Sequence, residues 1–256
     1  MLILLPPSET KRDGGGGRAL DCANLRFPGL SSLRGELVDA VVSLASDEAA
    51  TITALKLGPK QHGEVARNRV LASSPTMPAI DRYTGVLYDG LDAPSLSDAA
   101  RAFAGEHLVV HSALLGPVGG LDEVPAYRLS HDSRVPGFVL RRHWAAPVAA
   151  ELAATTGLLL DLRSEGYVGL GPVPVRPGAV FLRVLTEGPD GARRALNHFN
   201  KQAKGRFTRA LLDAGLDFQT IDELVDWAAI AGFRLEPHGE PDADRGGLPA
   251  ELALVV

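Results

Sequence analysis

Apolar residues along this chain recur in two rhythms. Short unbroken runs, Leu2 to Leu5, His107 to Leu115, Leu158 to Leu162 and Phe181 to Leu185, end at turn formers or charged residues, as buried strands do. Between them lie stretches with a three-to-four spacing. These predict helices over Ser31 to Leu44, Asp47 to Leu57, Gln61 to Leu71, Ser97 to Phe103, Arg141 to Ala154 and Gln219 to Ala229. Gly58-Pro59 separates the second from the third, and Ser95 or Ser97 is the expected cap of the fourth. Phe233 to Glu236 reads as a last strand. Strands thus alternate with helices, which implies an α/β or mixed α+β sheet. No linker divides the chain, so residues 1–236 are expected as a single domain and residues 237–256 as a Gly/Pro/acidic C-terminal tail.

Composition sharpens this picture. The 256 residues are 45% hydrophobic and 22% charged, which fits neither wholesale disorder nor a coiled coil. The 28 glycines and 18 prolines imply many turns. The lone Cys22 excludes an internal disulfide and a cysteine metal cluster. The start, MLILLPPSETK, lacks a basic region ahead of its apolar run and does not read as a signal peptide, and no stretch approaches a membrane span. A cytoplasmic protein is the expectation. Gly14 to Gly17 carry no side chain to pack, so that loop is expected to be mobile unless bound, and it lacks the order of a phosphate-binding P-loop.

The net charge of −5 conceals an uneven distribution. From Asp213 onward ten acids face only Arg234 and Arg245, so the preceding residues are net positive. Within them Ala192 to Leu212 holds Arg193, Arg194, Lys201, Lys204, Arg206 and Arg209 with no acid. Projected as a helix, this segment gathers Leu196, Phe199, Ala203, Phe207 and Leu211 on one side and Arg193, Asn197, Asn200, Lys204 and Thr208 on a flank, with Lys201 just beyond. The basic flank is either a ligand face or a solvated one. Gly205, mid-helix, suggests a close backbone or ligand approach.

Candidate chemistry collects where strands run into polar loops: LILL into PPSETK, LVVHSALL into GPVGGLDEVPAYRL, and LLLDL into RSEGY. In open α/β sheets ligands bind beyond strand carboxyl ends. The candidates are Ser8, Glu9, Lys11, Ser112, Asp122, Tyr127, Arg128, Ser164, Glu165 and Tyr167; capping and turn formation is the plainer role for such residues. Tyr83 and Tyr88, half the tyrosines, fall in YTGVLYDGL. Three of only five lysines, Lys11, Lys201 and Lys204, lie in candidate segments. His107 and His111 share a strand face without a carboxylate or cysteine to complete a metal set, and Ser112 lacks the nucleophile elbow of an α/β-hydrolase.

These motifs, MLILLPPSETK, YTGVLYDGL, VVHSALLGPVGGLDEVPAYRL, DLRSEGY and HFNKQAKGR in that order, resemble the YaaA peroxide-stress family from Met1 to about Glu236. The resemblance implies a central mixed sheet surrounded by helices, a positively charged cleft, a role in the hydrogen-peroxide response that limits iron-dependent damage, and DNA binding through a helix-hairpin-helix. The matching positions are Ser8 and Lys11; Tyr83, Gly85 and Tyr88; Ser112, Gly116, Asp122, Tyr127 and Arg128; Trp144; Ser164 and Tyr167; and Lys201, Lys204, Gly205 and Arg206. This chain departs from the family in reading PPSETK for SPAKT and KQAKG for KKARG, and no apolar-Gly-apolar hairpin stands out. Two readings follow, neither with a cofactor. One is weakly sequence-selective DNA binding through Arg193, Asn200, Lys201, Lys204 and Arg206. The other is an enzyme on a nucleoside, nucleotide or other phosphorylated small molecule: Lys204 and Arg128 hold the anion, Tyr127 or Tyr167 stacks on a ring, and Asp122, Tyr127 or Glu165 does the proton chemistry.

Overall fold

Leu2–Leu5 has no polar position, and the fold uses it accordingly: this strand, β1, is buried on both faces at the middle of a sheet. The computed structural model describes residues 1–188, 193–195, 199–239 and 249–256. After β1 come α1 (Ser31–Leu44), α2 (Glu48–Leu55), α3 (Gly63–Arg69), β2 (Thr76–Pro78), α4 (Ala79–Arg82), α5 (Val86–Leu91), α6 (Asp98–His107), β3 (Leu108–Ser112), β4 (Gly116–Gly119) and β5 (Glu123–Pro125). Then follow α7 (Leu140–Ala153), β6 (Leu159–Asp161), α8 (Glu165–Val168), β7 (Ala179–Glu187), β8 (Arg193–Ala195), α9 (Phe199–Ala214), α10 (Ile221–Ile230), β9 (Arg234–Gly239) and β10 (Ala250–Val255). The expected central mixed sheet is present in the order β4-β3-β1-β6-β7-β10-β9 and is flanked by helices as one domain. Its five inner strands are parallel, while β4, β8 and β9 pair antiparallel. β2 and β5 form a separate ribbon.

The chain runs from β1 out to β3 and returns past β1 to β6 on its other side. That reversal opens a crevice between the loops leaving β1 and β6, the place where open α/β sheets take ligands. β7 is longer than β6 and projects past it; where β6 stops, β8 takes over its edge, pairing Leu185 with Ala195 through Glu187 with Arg193.

Local signals set the helices. Asp47, Ser97 and Thr220 cap α2, α6 and α10 by accepting from backbone N–H groups. Gly205 of α9 lies against α5: a Cβ there would collide with the Leu87 carbonyl, and one at Gly90 would lie 3.0 Å from the Gln202 carbonyl oxygen. The close approach inferred for Gly205 is therefore backbone to backbone. Inside the protein, buried Arg34 donates to the carbonyls of Leu115 and Pro117, each at 2.8 Å, and to those of Cys22, Arg26 and Phe27. It locks the first loops onto the sheet. Trp144 donates to the Ala113 carbonyl and packs against Gly116, whose φ of 64° suits glycine.

Three expectations change. The basic helix begins at Phe199, because Arg193–Ala195 is drawn into the sheet as β8; Ala192, Leu196, Asn197 and His198 lie outside the described residues. Residues 237–256, expected as a tail, supply the end of β9 and all of β10, which enters the sheet between β7 and β9 with Leu252 and Leu254 buried. The Gly14 to Gly17 loop is tied down: buried Arg82 donates to the carbonyls of Arg12 and Gly14, and the Gly17 N–H donates to the Thr76 carbonyl at 3.0 Å.

Candidate functional site

Six segments converge on a cleft of about 680 Å³ at the carboxyl ends of β1 and β6. Pro6 to Glu9 follow β1, and Leu162 to Tyr167 follow β6. Thr84 to Tyr88 open α5, Ser130 and His131 come from the loop before α7, Phe181 to Arg183 from the projecting part of β7, and Asn200, Lys201 and Lys204 from α9. The convergence is built by packing. The tight α5–α9 crossing brings Lys201 and Lys204 opposite Gly85, whose φ of 97° carries the chain around Ser8 and Thr10. Tyr88 donates to the Pro6 carbonyl at 2.9 Å, holding α5 to the β1 loop.

Nine of the candidates line this cleft: Ser8, Glu9, Tyr88, Ser164, Glu165, Tyr167, Asn200, Lys201 and Lys204. Lys204 is buried, and its Nζ donates to the Leu162 carbonyl at 2.9 Å. Burial, helped by nearby Arg183, lowers its pKa to about 8 against the pull of Asp161 and Glu165. Lys201, one turn earlier, is exposed. Asn200 Oδ1 is buried without a hydrogen-bond partner among the described residues. Tyr167 is edge-on to His131 with ring centroids 5.1 Å apart; Gly166 leaves the room, since a Cβ there would strike the imidazole. Burial raises the hydroxyl pKa values of Tyr88 and Tyr167, so both are neutral donors at pH 7.

A second group stands behind the cleft wall. Ser112 Oγ accepts from the Leu114 and Leu115 N–H groups at 3.0 and 2.9 Å, which leaves its proton for Tyr127 Oη at 2.6 Å. Tyr127 in turn meets Tyr83 Oη at 2.8 Å. Lys11 Nζ lies 4.1 Å from the Tyr127 ring centroid and donates to the carbonyls of Ser8 and Glu9 at 3.0 and 3.4 Å. It therefore braces the wall from inside rather than lining it. Burial, then the Arg128 charge, lowers its pKa to about 7. Arg128 braces the same loop through Glu9, at 2.8 Å. Lys11, Tyr83, Ser112, Tyr127 and Arg128 thus support the cleft and do not border it.

Asp122 and Arg206 lie elsewhere. The Asp122 carboxylate accepts from the N–H groups of Arg26 and Gly119, both at 2.7 Å, and shapes the turn after β4. Arg206 is exposed on α9 outside the cleft lining. The acid-free basic segment is also answered by acids outside it, near and distant in sequence: Arg193 meets Glu187 and Glu236, and Arg209 meets Asp213 and Asp92.

Sequence reasoning missed Thr84, Ser130, His131, Arg163, Phe181 and Arg183. Arg163 was visible inside DLRSEGY; it is buried against Asp161 at 2.7 Å and also bonds His111 Nδ1, so it holds the β6 loop. His131 sits in the polar run LSHDS that follows a candidate loop, and only that position marked it. No local signal marks Arg183, a strand residue whose partner Glu251, at 2.8 Å, lies on β10.

Among the described residues no three His, Cys, Asp or Glu side chains are grouped to hold a metal ion, and no helix is long and apolar enough to cross a membrane. Fold and cleft together define an open-sheet α/β protein with a crevice at its topological switch point, bordered by Lys201 and Lys204 and by Glu9 and Glu165. Comparison with known proteins makes the assignment specific. The chain belongs to the YaaA peroxide-stress family, whose model, described as Peroxide stress protein YaaA, matches residues 1–238. A UPF0246 protein of Corynebacterium efficiens is 41% identical over 241 residues, covering 92% of this chain and 95% of the relative. One from Streptomyces coelicolor is 40% identical and covers 100% and 98%, and one from Corynebacterium glutamicum is 39% identical over 92% and 95%.

Proposed function

We propose that this protein is an enzyme acting on a small anionic molecule, a nucleotide or related phosphorylated compound, held in the cleft. The observation that carries this reading is the convergence of nine candidate residues from four sequence motifs on one concave site at the strand ends. Lys201 and Lys204 take the anionic group, Ser8 and Ser164 offer hydroxyls, and the faces beside Tyr167, His131 and Phe181 suit a planar ring. Glu165, 81% exposed and 3.5 Å from Arg183, is the carboxylate at the cleft mouth for proton transfer.

The test is thermal stabilisation by a panel of nucleoside phosphates and sugar phosphates. A ligand at a hundredfold its Kd adds about 2.7 kcal/mol to the native state, or roughly 5–10 °C in a chain of this size. At least one panel member should give a saturable shift that Lys204→Met and Ser164→Ala reduce. A panel with no shift in the wild-type protein would end this reading.

A second reading is favoured by the exposed cations Lys201 and Arg206 on α9: weak, sequence-tolerant DNA binding at the cleft rim, through which a peroxide-stress protein shields DNA from iron-dependent damage. It requires a mobility shift at low salt whose salt slope falls by about one for each cation removed. An unchanged slope in Lys201→Ala and Arg206→Ala sinks it.

A further inference from the structure

The Lys204 amine has surroundings that an anion-binding lysine does not need. Its side chain is buried yet borders the cleft, and the groups nearest Nζ are the Leu162 carbonyl at 2.9 Å, the Arg163 carbonyl at 3.5 Å and the Phe181 ring, 5.4 Å to its centroid. Among the described residues no carboxylate lies within ion-pair distance. Asp161 is engaged by Arg163, and Glu165 lies against Arg183. Arg183, on the same wall, has its charge answered by Glu165 and Glu251. A lysine desolvated by burial, with no carboxylate paired to it, is the arrangement that frees an amine lone pair for attack. Lys201, exposed one turn away, remains available for an anionic group.

Resting on the small-molecule reading above, we propose that Lys204 is a nucleophile that condenses with an aldehyde or ketone carried by an anionic substrate, forming a Schiff base. The ammonium first loses a proton to solvent. The nitrogen lone pair then bonds to the carbonyl carbon, whose π electrons move to oxygen. The attacking nitrogen then gives up a proton and regains its lone pair; protons transferred to the oxygen let it leave as water as that lone pair forms the C=N bond. No oxidant or reductant is consumed. The Phe181 face limits water around the imine, and Glu165 at the mouth is the group placed to relay the departing protons.

Pyridoxal 5′-phosphate, a phosphorylated aldehyde, is a suitable probe. Borohydride reduction after brief exposure, followed by peptide mapping, should place the adduct on Lys204 about tenfold or more faster than on exposed Lys56 and Lys60. The rate at Lys204 should rise through about pH 8. Lys204→Arg should abolish that adduct, and the aldehyde-free pyridoxine 5′-phosphate should raise the melting temperature of the wild-type protein without forming one. Label confined to Lys56, Lys60 or Lys201, with pyridoxine 5′-phosphate still stabilising the protein, overturns the nucleophile and leaves the cleft reading intact. Absence of both the Lys204 adduct and stabilisation by any phosphorylated ligand overturns both.

Discussion

Lys11→Met should remove most of the rise in stability that this protein shows between pH 7 and pH 9. Burial lowers the Lys11 pKa from 10.5 to about 7. Between those values the unfolded chain holds a proton that the folded chain does not, so folding is penalised at pH 7 and relieved as pH rises. The stability is complete only above the unfolded value and is lost as pH falls through the folded one. Each pH unit well inside the window is worth about 1.4 kcal/mol, and integration from pH 7 to 9 gives about 2 kcal/mol for Lys11. Lys204, lowered to about 8, adds about 1 kcal/mol over the same interval. The tyrosines, raised above their ordinary range, titrate beyond it. Urea unfolding followed by Trp144 and Trp227 fluorescence at pH 7, 8 and 9 supplies the numbers. The wild-type gain should be about 3 kcal/mol and the variant's about 1 kcal/mol, whatever the variant's absolute stability. Equal gains in the two proteins would refute the argument, because they would mean that Lys11 binds protons alike in the folded and unfolded chains.

Gly205→Ala tests the α5–α9 crossing. Alanine improves helix propensity by about 1 kcal/mol, yet its Cβ collides with the Leu87 carbonyl, so the melting temperature should fall by roughly 5 °C or more; a rise would show that the helices can part freely. Arg82→Met leaves the carbonyls of Arg12, Gly14, Pro75 and Val124 without their donor, at a cost of about 3 kcal/mol, and trypsin should then cut at Arg12 and Arg18 well before the rest of the chain; unchanged digestion would mean that the glycine loop is held by other contacts. Leu254→Asp puts a charge at a site 1% exposed and should prevent soluble folding, whereas substitution of a tail residue would be silent.

The strands were legible because β1, β3 and β6 open on consecutive apolar residues and are buried on both faces. Helices α1 and α7 were legible from spacing and breakers. What escaped was non-local. Arg193–Ala195 reads as helix by its neighbours and becomes a strand because β7 outruns β6 and needs a partner there. The alternation in Ala250–Val255 was hidden behind a run of Gly, Pro and Asp, and nothing nearby says that Val180 through Leu185 lie opposite. The site shows the same division. Polar loops after apolar runs picked out Ser8, Ser164 and Tyr167, but which lysine borders the cleft and which braces it depends on depth: the same residue type makes Lys204 part of the lining and Lys11 a strut behind Tyr127. The charge pattern misled in a related way, since Glu236 and Asp92, which answer Arg193 and Arg209, lie far off in the sequence.

The insertion of β10 between β7 and β9 has a kinetic meaning. β9 is made earlier in the sequence than β10 yet, among the described residues, pairs with it alone, so it has no place in the sheet until β10 has bridged to β7, some seventy residues back. Closing such a loop costs entropy before any contact rewards it, which makes this edge a late step in folding. Because Arg183 on the cleft wall is held by Glu251 of that last strand, the crevice takes its final form only when the step is done. Partly folded chains, with β1 and β6 already paired, should therefore be unable to bind, and ligand affinity will report the completion of folding.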